Sequence, residues 1–366
     1  MAGAPKRLLV VIPALNEAMT VGRVVRTVPR CIEGVSEVVI VVIDDGSTDG
    51  TAEVAQEAGA RVVRHERPQG VGAVFHRALD LVLEEAADIL VFIDGDGQFN
   101  AADIPKVIGP ILAGEADFVS ASRYHEKSPP QRQTLGKRIG NWGMSQLISW
   151  LIGRRICDAA CGFRAYSAEV VMSMNLSGRF TYTQETILDI AFKRFRIMEV
   201  PIRVRGTRRH GKSRVARSLL KYAISALTII VRVYRDYKPL RFFGLLALVQ
   251  VVIATCLAGF FLWHYVEKGK FTPYVSVGVT AGFLYMMGAL TCLTGLLADM
   301  FARTRMSIDK LLYYERQRRH EARRAEVLAE AEASGAEPLQ AVRRGKDAVD
   351  QEIVENLRLA GFGRRE

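Results

Sequence analysis

Glu37-Val38-Val39-Ile40-Val41-Val42-Ile43 runs straight into Asp44-Asp45-Gly46-Ser47-Thr48-Asp49-Gly50-Thr51, and Ile89-Leu90-Val91-Phe92-Ile93 runs straight into Asp94-Gly95-Asp96-Gly97-Gln98. Each is an apolar, β-branched run that stops at an acidic turn, the pattern of a buried strand feeding a ligand-facing loop. Residues 8–12 form an earlier run of this kind and 61–64 a short one between the two. Helical segments separate the strands: 16–28, then 47–58, where Ser47 or Thr48 would cap and Gly59 would stop the helix, then 73–86 after Gly70-Val71-Gly72. Repeated strand–helix units predict an α/β fold with a parallel sheet and a ligand site at the carboxyl ends of its strands. Both acidic turns then face one crevice.

Carboxylates in a cleft meant for a diphosphate are unfavourable until a divalent cation stands between them, and Mg2+ or Mn2+ takes hard oxygen ligands while bridging to phosphate. Asp96 and Gln98, with Asp94 beside them, are the natural metal and ribose ligands, and Gly95 and Gly97 let the backbone approach a nucleotide closely. Taken alone, Asp94-Gly95-Asp96 also reads as a plain turn; its pairing with the first acidic turn favours a site. A dinucleotide-binding fold is disfavoured, because the first strand leads into Pro13-Ala14-Leu15-Asn16-Glu17 and lacks the glycine-rich turn that seats a pyrophosphate on a helix.

Hydrophobic residues make up 49% of the 366 positions, and the excess lies near the C-terminus. Residues 242–266 and 271–298 contain no Asp, Glu, Lys or Arg, and each exceeds the roughly 20 residues a helix needs to cross hydrocarbon. Two transmembrane helices are expected. A pair of buried core helices would need uncharged runs far beyond the roughly 11 to 12 residues of a mean globular helix. No signal peptide is expected, since Lys6-Arg7 leads directly into a strand-like run. Arg232, Arg235, Lys238 and Arg241 flank the first span, and Arg303, Arg305 and Lys310 the second, whereas the link holds Lys268 and Lys270 with Glu267. The basic outer flanks predict a hairpin with both ends, and the large N-terminal region, on the cytoplasmic face. The expected organisation is a catalytic domain over 1–217, a juxtamembrane amphipathic helix over 218–241, the two spans within 242–302, and a charged helical tail over 303–366. That tail is expected to serve self-association into a homo-oligomer or contact with the cytoplasmic domain, and to carry no chemistry.

The formal charge of +11 concentrates beside the membrane and suits anionic lipid head groups and phosphate ligands. No basic motif interleaved with aromatics points to nucleic acid. Five cysteines, an odd number, suit reduced thiols. Cys157 and Cys161 lack the matched partners a zinc site requires.

Pro13-Ala14-Leu15-Asn16-Glu17, Asp44-Asp45-Gly46-Ser47-Thr48-Asp49-Gly50-Thr51, Asp94-Gly95-Asp96-Gly97-Gln98, Ser122-Arg123-Tyr124, Cys161-Gly162-Phe163-Arg164 and Arg208-Arg209-His210-Gly211-Lys212-Ser213 together resemble the family 2 glycosyltransferases. Within that family their order is similar to the dolichol- or polyprenyl-phosphate hexose synthases. The resemblance implies a GT-A fold, an inverting transfer from a UDP- or GDP-linked sugar, and a divalent metal. It implies that Pro13, Ala14, Glu17 and Asp45 hold the nucleoside, with Asn16 and Asp44 in the same turns counted as substrate-binding. Asp94 and Asp96 would hold the sugar-nucleotide and metal, and Gln98 would complete the metal shell. Arg214 stands where the family often has lysine, which keeps the charge and changes its geometry. The hairpin and tail vary within the family and carry no sugar specificity.

Arg123, Lys137, Arg138, Arg164, Arg208 and Arg214 lie in or beside motifs and are candidates to receive phosphates, whereas Arg194 and Arg196 read as solvated surface. Residues 139–152, with Trp142 and Trp150 between basic pairs, read either as a helix lying in the membrane interface or as a packed core helix. Residues 219–233 offer a second interfacial segment. A lipid phosphate with a second pKa near ~6 is largely dianionic at neutral pH and can attack an anomeric carbon without a protein base. A sugar-hydroxyl acceptor would need one, and Asp158 is then the first choice; Asp158 and Glu185 read equally well as a helix cap or surface carboxylate. Asp96, Arg208, Arg214 and Asp158 are thus the candidates for the chemical step. Arg208, His210, Ser213 and Arg214, with Gly206 and Gly211, read as a closing loop or as a basic segment bound to anionic lipid. A non-catalytic nucleotide-sugar-binding scaffold is the remaining alternative, and the intact Asp94, Asp96 and Gln98 argue against it.

Overall fold

The structure is a computed structural model that describes residues 6–124, 135–176, 182–204 and 219–334. It divides into two units, one of residues 1–222 with 312–366 and one of residues 223–311.

The first unit is built on seven strands: β1 (Lys6–Ala14), β2 (Val35–Asp44), β3 (Arg61–Arg64), β4 (Ile89–Phe92), β5 (Phe118–Ser122), β6 (Arg164–Ser167) and β7 (Ile197–Pro201). They form one sheet in the order β3-β2-β1-β4-β6-β5-β7. Leu8, Leu9, Val10, Val11 and Ile12 are all fully buried, so β1 is covered on both faces, which is why its sequence shows no alternation. Helices α1 (Val21–Thr27), α2 (Thr51–Glu57), α3 (Val71–Glu84), α4 (Ile104–Leu112), α5 (Leu135–Ile152), α6 (Ala168–Ser173) and α7 (Thr183–Phe192) connect the strands.

The sheet is mixed, where the repeated strand–helix units pointed to a parallel one. β6 runs antiparallel to both β4 and β5, while the remaining neighbours pair in parallel. The chain leaves β5 at the carboxyl edge and re-enters β6 from that same edge, and a connection that returns at one end of a sheet gives antiparallel neighbours. This inversion brings Cys161-Gly162-Phe163-Arg164 to the edge that carries the acidic turns, since Arg164 pairs with Phe92.

Two helix starts also differ from expectation. Asn16 adopts a positive φ of 53°, so residues 16–20 form a turn and α1 begins only at Val21. Ser47 and Thr48 do not cap α2, which begins after Gly50; Ser47 instead accepts the Asn16 N–H at 2.9 Å. In α5, Ser145 and Ile148 are buried while Ile139, Trp142 and Trp150 are 58%, 65% and 75% exposed, so the core and interfacial readings divide between its two faces.

The second unit contains most of α8 (Leu219–Tyr237), all of α9 (Pro239–Lys268) and the first part of α10 (Val275–Ser334). Among the described residues two helices, α9 and α10 over Val275–Ala329, are long and apolar enough to cross a membrane. Leu245, Leu262, Phe283 and Leu297 are among many large apolar side chains exposed on them, the reverse of a soluble core. Glycines line their seam: a Cβ on Gly288 would stand 3.0 Å from Val251 and one on Gly295 2.9 Å from Phe243, the close approach small residues permit. The boundary expected between 302 and 303 falls inside α10, which continues unbroken to Ser334.

Candidate functional site

Three turns meet at the carboxyl edge of β1, β2 and β4, and backbone groups lace them together. Asn16 Oδ1 accepts the Thr48 N–H at 2.8 Å and Thr51 Oγ1 accepts the Glu17 N–H at 2.8 Å, which ties the turn after β1 to the turn after β2. The Pro13 carbonyl accepts the Gly95 N–H at 3.3 Å, and Thr20 Oγ1 donates to the Gly95 carbonyl at 2.9 Å. A Cβ at position 95 would lie 2.9 Å from Pro13 O, so only glycine lets the turn after β4 sit this close to β1.

Asp44, Asp45, Asp94 and Asp96 of the two acidic turns divide by task. Asp44 is fully buried; its Oδ1 accepts the Ser47 N–H at 2.9 Å, and its Oδ2 faces Arg64 Nε at 3.4 Å. Asp45 accepts the Gln69 and Gly70 N–H groups at 2.9 and 2.8 Å and stands 2.8 Å from His65 Nδ1. It therefore organises the loop that enters α3, a role the sequence did not suggest. Asp94 and Asp96 are half-buried. Asp96 Oδ1 accepts the Gln98 N–H at 3.0 Å, closing the turn on itself. A Cβ on Gly162 would approach Asp94 Oδ2 to 2.8 Å, so the bare backbone of Gly162 makes the cradle in which Asp94 lies. The Tyr182 hydroxyl donates to the Gly162 carbonyl at 3.3 Å. Burial, and then the charge of Asp94, push the Tyr182 phenol well above its usual range and keep it a donor.

This donor set suits a hard divalent cation. Among the described residues no group of three or more His, Cys, Asp or Glu side chains could hold a metal by itself. Mg2+-type sites that serve phosphate ligands use one or two carboxylates and leave the remaining positions to substrate and water. The Asp94 and Asp96 carboxylates with the Gln98 amide fit that description.

A second cluster lies at the end of β5. Asp158, fully buried, accepts the Arg123 N–H at 3.0 Å, Arg123 Nε at 2.7 Å and Arg123 Nη2 at 2.8 Å. Burial weighs against the Arg123 charge, yet the hydrogen bonds and charge of Asp158 more than offset it and raise the guanidinium above its usual range. Burial also raises the neighbouring Tyr124, while Arg123 and Arg138 both act to lower it, which puts Arg138 within electrostatic range of this corner. Glu199 accepts the Cys157 and Asp158 N–H groups at 2.8 and 2.9 Å. Neither Glu199 nor His65 was legible from sequence, because one lies on a short strand and the other directly after one, with no motif around either.

Arg164 is a correction. Expected to receive phosphate, it is fully buried, with its guanidinium bonded to the Cys161 carbonyl at 2.8 Å, the Thr183 carbonyl and Thr186 Oγ1 at 2.7 Å each, and the Ala159 carbonyl at 3.2 Å. A guanidinium with donors spent this way braces the 159–164 loop and cannot turn to a ligand. Glu185 is also buried, in the first turn of α7. Arg208, His210, Ser213 and Arg214 lie outside the described residues.

A mixed α/β sheet with acidic turns gathered at one edge, and a carboxylate pair fit for a cation and diphosphate, defines the GT-A class of nucleotide-sugar transferases. The chain belongs to glycosyl transferase family 2, whose family model matches residues 9–174, and it is a glycosyltransferase. It is 31% identical over 220 residues to the UDP-N-acetylglucosamine–dolichyl-phosphate N-acetylglucosaminyltransferase of Methanococcus voltae, covering 55% of this chain and 86% of that one. It is 32% identical over 195 residues to the dolichyl-phosphate hexose transferase of Haloferax volcanii, covering 53% and 81%. A crystal structure of glucosyl-3-phosphoglycerate synthase from Mycobacterium tuberculosis, in complex with Mn2+, UDP and phosphoglyceric acid, is similar with a TM-score of 0.50 and 26% identity, covering 63% of this chain and 80% of that one.

Proposed function

We propose that this transferase moves a hexose or N-acetylhexosamine from a UDP- or GDP-linked sugar to polyprenyl phosphate, with inversion, at the cytoplasmic face of a membrane. The observation that carries the reading is the state of Asp158. A sugar-hydroxyl acceptor needs a general base, and the carboxylate first in line for that task is fully buried with both oxygens bonded to Arg123. A phosphate acceptor needs no base and does need a fixed cation. Asp158 supplies one by orienting Arg123, whose fork can meet phosphate through charge-assisted hydrogen bonds. The names of the two curated relatives, both dolichyl-phosphate transferases, and the pair of apolar helices agree with a lipid acceptor.

Asp94, Asp96 and Gln98 would hold Mg2+ or Mn2+, which when bound supplies neutralisation of the leaving nucleoside diphosphate. The residues of the chain do the rest. The laced turns at 13–17 and 44–51 shape the nucleoside side, and Gly95 and Gly162 keep the Asp94–Asp96 turn pressed against β1 and β6. Arg123, with Arg138 nearby, holds the acceptor phosphate against the repulsion of the donor diphosphate. Arg208 and Arg214, which lie outside the described residues, would add to that charge control. The exposed Trp142 and Trp150 of α5, near Arg138, Arg154 and Arg155, suit an anionic membrane surface, and basic flanks at both outer ends of the hairpin suit a cytoplasmic catalytic unit.

The test is a membrane assay with a panel of labelled nucleotide-sugars, polyprenyl phosphate and Mg2+ or Mn2+. Lipid-extractable label that requires the phosphate, with none on polyprenol, is expected. Label that appears only on a lipid-linked sugar overturns the reading, and metal-dependent nucleotide binding without transfer favours the scaffold.

A further inference from the structure

We infer that Glu199 is a positioning residue for the acceptor phosphate, acting through Asp158 on Arg123; this rests on the acceptor reading above. Glu199 lies on β7 opposite Ser120 of β5, one strand away from Arg123. Its two carboxylate oxygens each take one of two consecutive amides: Oε2 accepts the Cys157 N–H at 2.8 Å and Oε1 accepts the Asp158 N–H at 2.9 Å. From the other side, α5 grips the same segment: Asn141 Nδ2 and Ser145 Oγ donate to the Cys157 carbonyl at 3.2 and 3.3 Å, and Ser145 Oγ accepts the Ala159 N–H at 3.1 Å. Residues 157–159 are therefore clamped between β7 and α5, and the clamp sets where the Asp158 side chain starts.

That start matters because Asp158 fixes Arg123 at three points, one on its backbone and two on its guanidinium. A bidentate carboxylate–guanidinium pair tolerates little rotation, so a shift of the 157–158 backbone is transmitted to the direction in which the Arg123 fork faces. The Arg123 side chain is 17% exposed and Asp158 is not exposed at all, so only the arginine end of the relay can meet a ligand. Each of these two adjacent N–H groups points at its own carboxylate oxygen. Glutamine offers one oxygen and sets an NH2 against the other amide, which leaves one buried donor without its partner. The clamp grips residues 157–159, next to Arg123, whereas Asp94 lies against Gly162, further along the chain. Loss of the clamp should therefore act on the acceptor more than on the donor.

The experiment compares the full-length wild type and Glu199→Gln in detergent, titrating polyprenyl phosphate at saturating donor and then the donor at saturating lipid. The expected result is an acceptor KM raised about tenfold with the donor KM within about twofold of wild type. A merely structural role would lower the melting temperature and move both constants together or neither, and either pattern overturns the inference. If Glu199→Gln does not accumulate, Glu199→Asp keeps the charge and can still reach one amide; it should raise the acceptor KM by less, and an unmoved acceptor KM sinks the relay. The wild-type arm separates the two readings. Failure of the wild type to use polyprenyl phosphate sinks the acceptor assignment and the Glu199 inference together, whereas normal wild-type transfer with no acceptor effect in the variant sinks the Glu199 inference alone.

Discussion

The two edges of the sheet in the catalytic unit use the same charged residue types to opposite ends. At the amino edge the charges find their opposites within the chain. Arg7 Nη2 meets Glu37 at 2.9 Å, and Asp88 accepts the Arg7 N–H at 2.9 Å and Arg324 Nη1 at 2.8 Å. Residues 312–334 of α10 belong to this unit, and one face of them finishes the job. Arg316 donates to the carbonyls of Met172 and Met174 at 3.0 and 2.6 Å, where α6 ends, His320 Nε2 bonds the Ala87 carbonyl at 2.9 Å, and Arg323 donates to the Glu84 carbonyl at 3.3 Å, where α3 ends. Basic groups at helix C-termini satisfy orphan carbonyls and complement the helix dipole. At the carboxyl edge backbone N–H groups hold Asp44, Asp45 and Asp96, Arg64 and His65 stand beside Asp44 and Asp45, and the bare backbone of Gly162 makes room for Asp94. The amino edge is bound mostly by its own helices, the carboxyl edge mostly by its own turns.

The strongest way to break this comparison is Asp96→Ala. If the carboxyl edge is functional, transfer should fall about a hundredfold or more, while the melting temperature and membrane attachment stay at wild-type values. Near-normal turnover at saturating metal would show that the acidic turn is architecture like the amino edge. Gly162→Ala should give a smaller, similar effect. The added Cβ would come within 2.8 Å of Asp94 Oδ2, displacing that carboxylate and lowering turnover about tenfold; unchanged turnover would mean that Asp94 can move without consequence.

Arg324→Ala tests the other edge. It removes the α10 partner of Asp88, which is 8% exposed. The Arg324 side chain is 36% exposed, so solvent screens the pair, and the loss should be about 1–2 kcal/mol, read as a lower melting temperature with turnover unchanged below the transition. A loss of transfer without a loss of stability would make the 312–334 segment part of the site. Free choice between self-association and contact with the catalytic unit was all that the tail's composition allowed, because Ala, Glu and Arg at helical spacing name no partner. For residues 312–334 the partners are Asp88 and a set of backbone carbonyls, and carbonyls carry no residue-type signal.

The same distinction explains what else was legible. The β-branched runs ending in acidic turns revealed β1, β2 and β4 and the edge where ligands meet, since a fully buried parallel strand must be continuously apolar. The reversal of β6 was hidden because Arg164-Ala165-Tyr166-Ser167 is short and polar-flanked, and strand direction depends on where the connection returns. Arg164 misled for a related reason. An arginine two residues after a glycine in a motif looks like a phosphate ligand until the carbonyls of 159 and 161 in its own loop and of Thr183 at the start of α7 converge on it. Asp158 and Arg123 were both marked as site residues, but that they bind each other is visible only in the fold, which brings together residues far apart in the chain.

The smallest effect expected lies at the boundary between these behaviours, in Cys161, which is fully buried directly before the glycine that cradles Asp94. Burial first, and then the charge of Asp158, push its thiol up to about 12. An unfolded cysteine releases its proton near ~8.5, so between that pH and about 12 the native state retains a proton the unfolded state gives up. The folded pKa is raised, and the sign follows: this group's contribution is fully present below the ordinary thiol value and declines as pH rises toward the folded one. Thiolate is the reactive form, so at pH 8.5 an alkylating reagent should modify the exposed Cys31 quickly and leave Cys161 intact in the native protein, as read by mass spectrometry of digests. Ready labelling of Cys161 without unfolding would show that the carboxyl edge is open to solvent one residue deeper than Gly162, and that the cradle under Asp94 is not the rigid support the Gly162→Ala prediction requires.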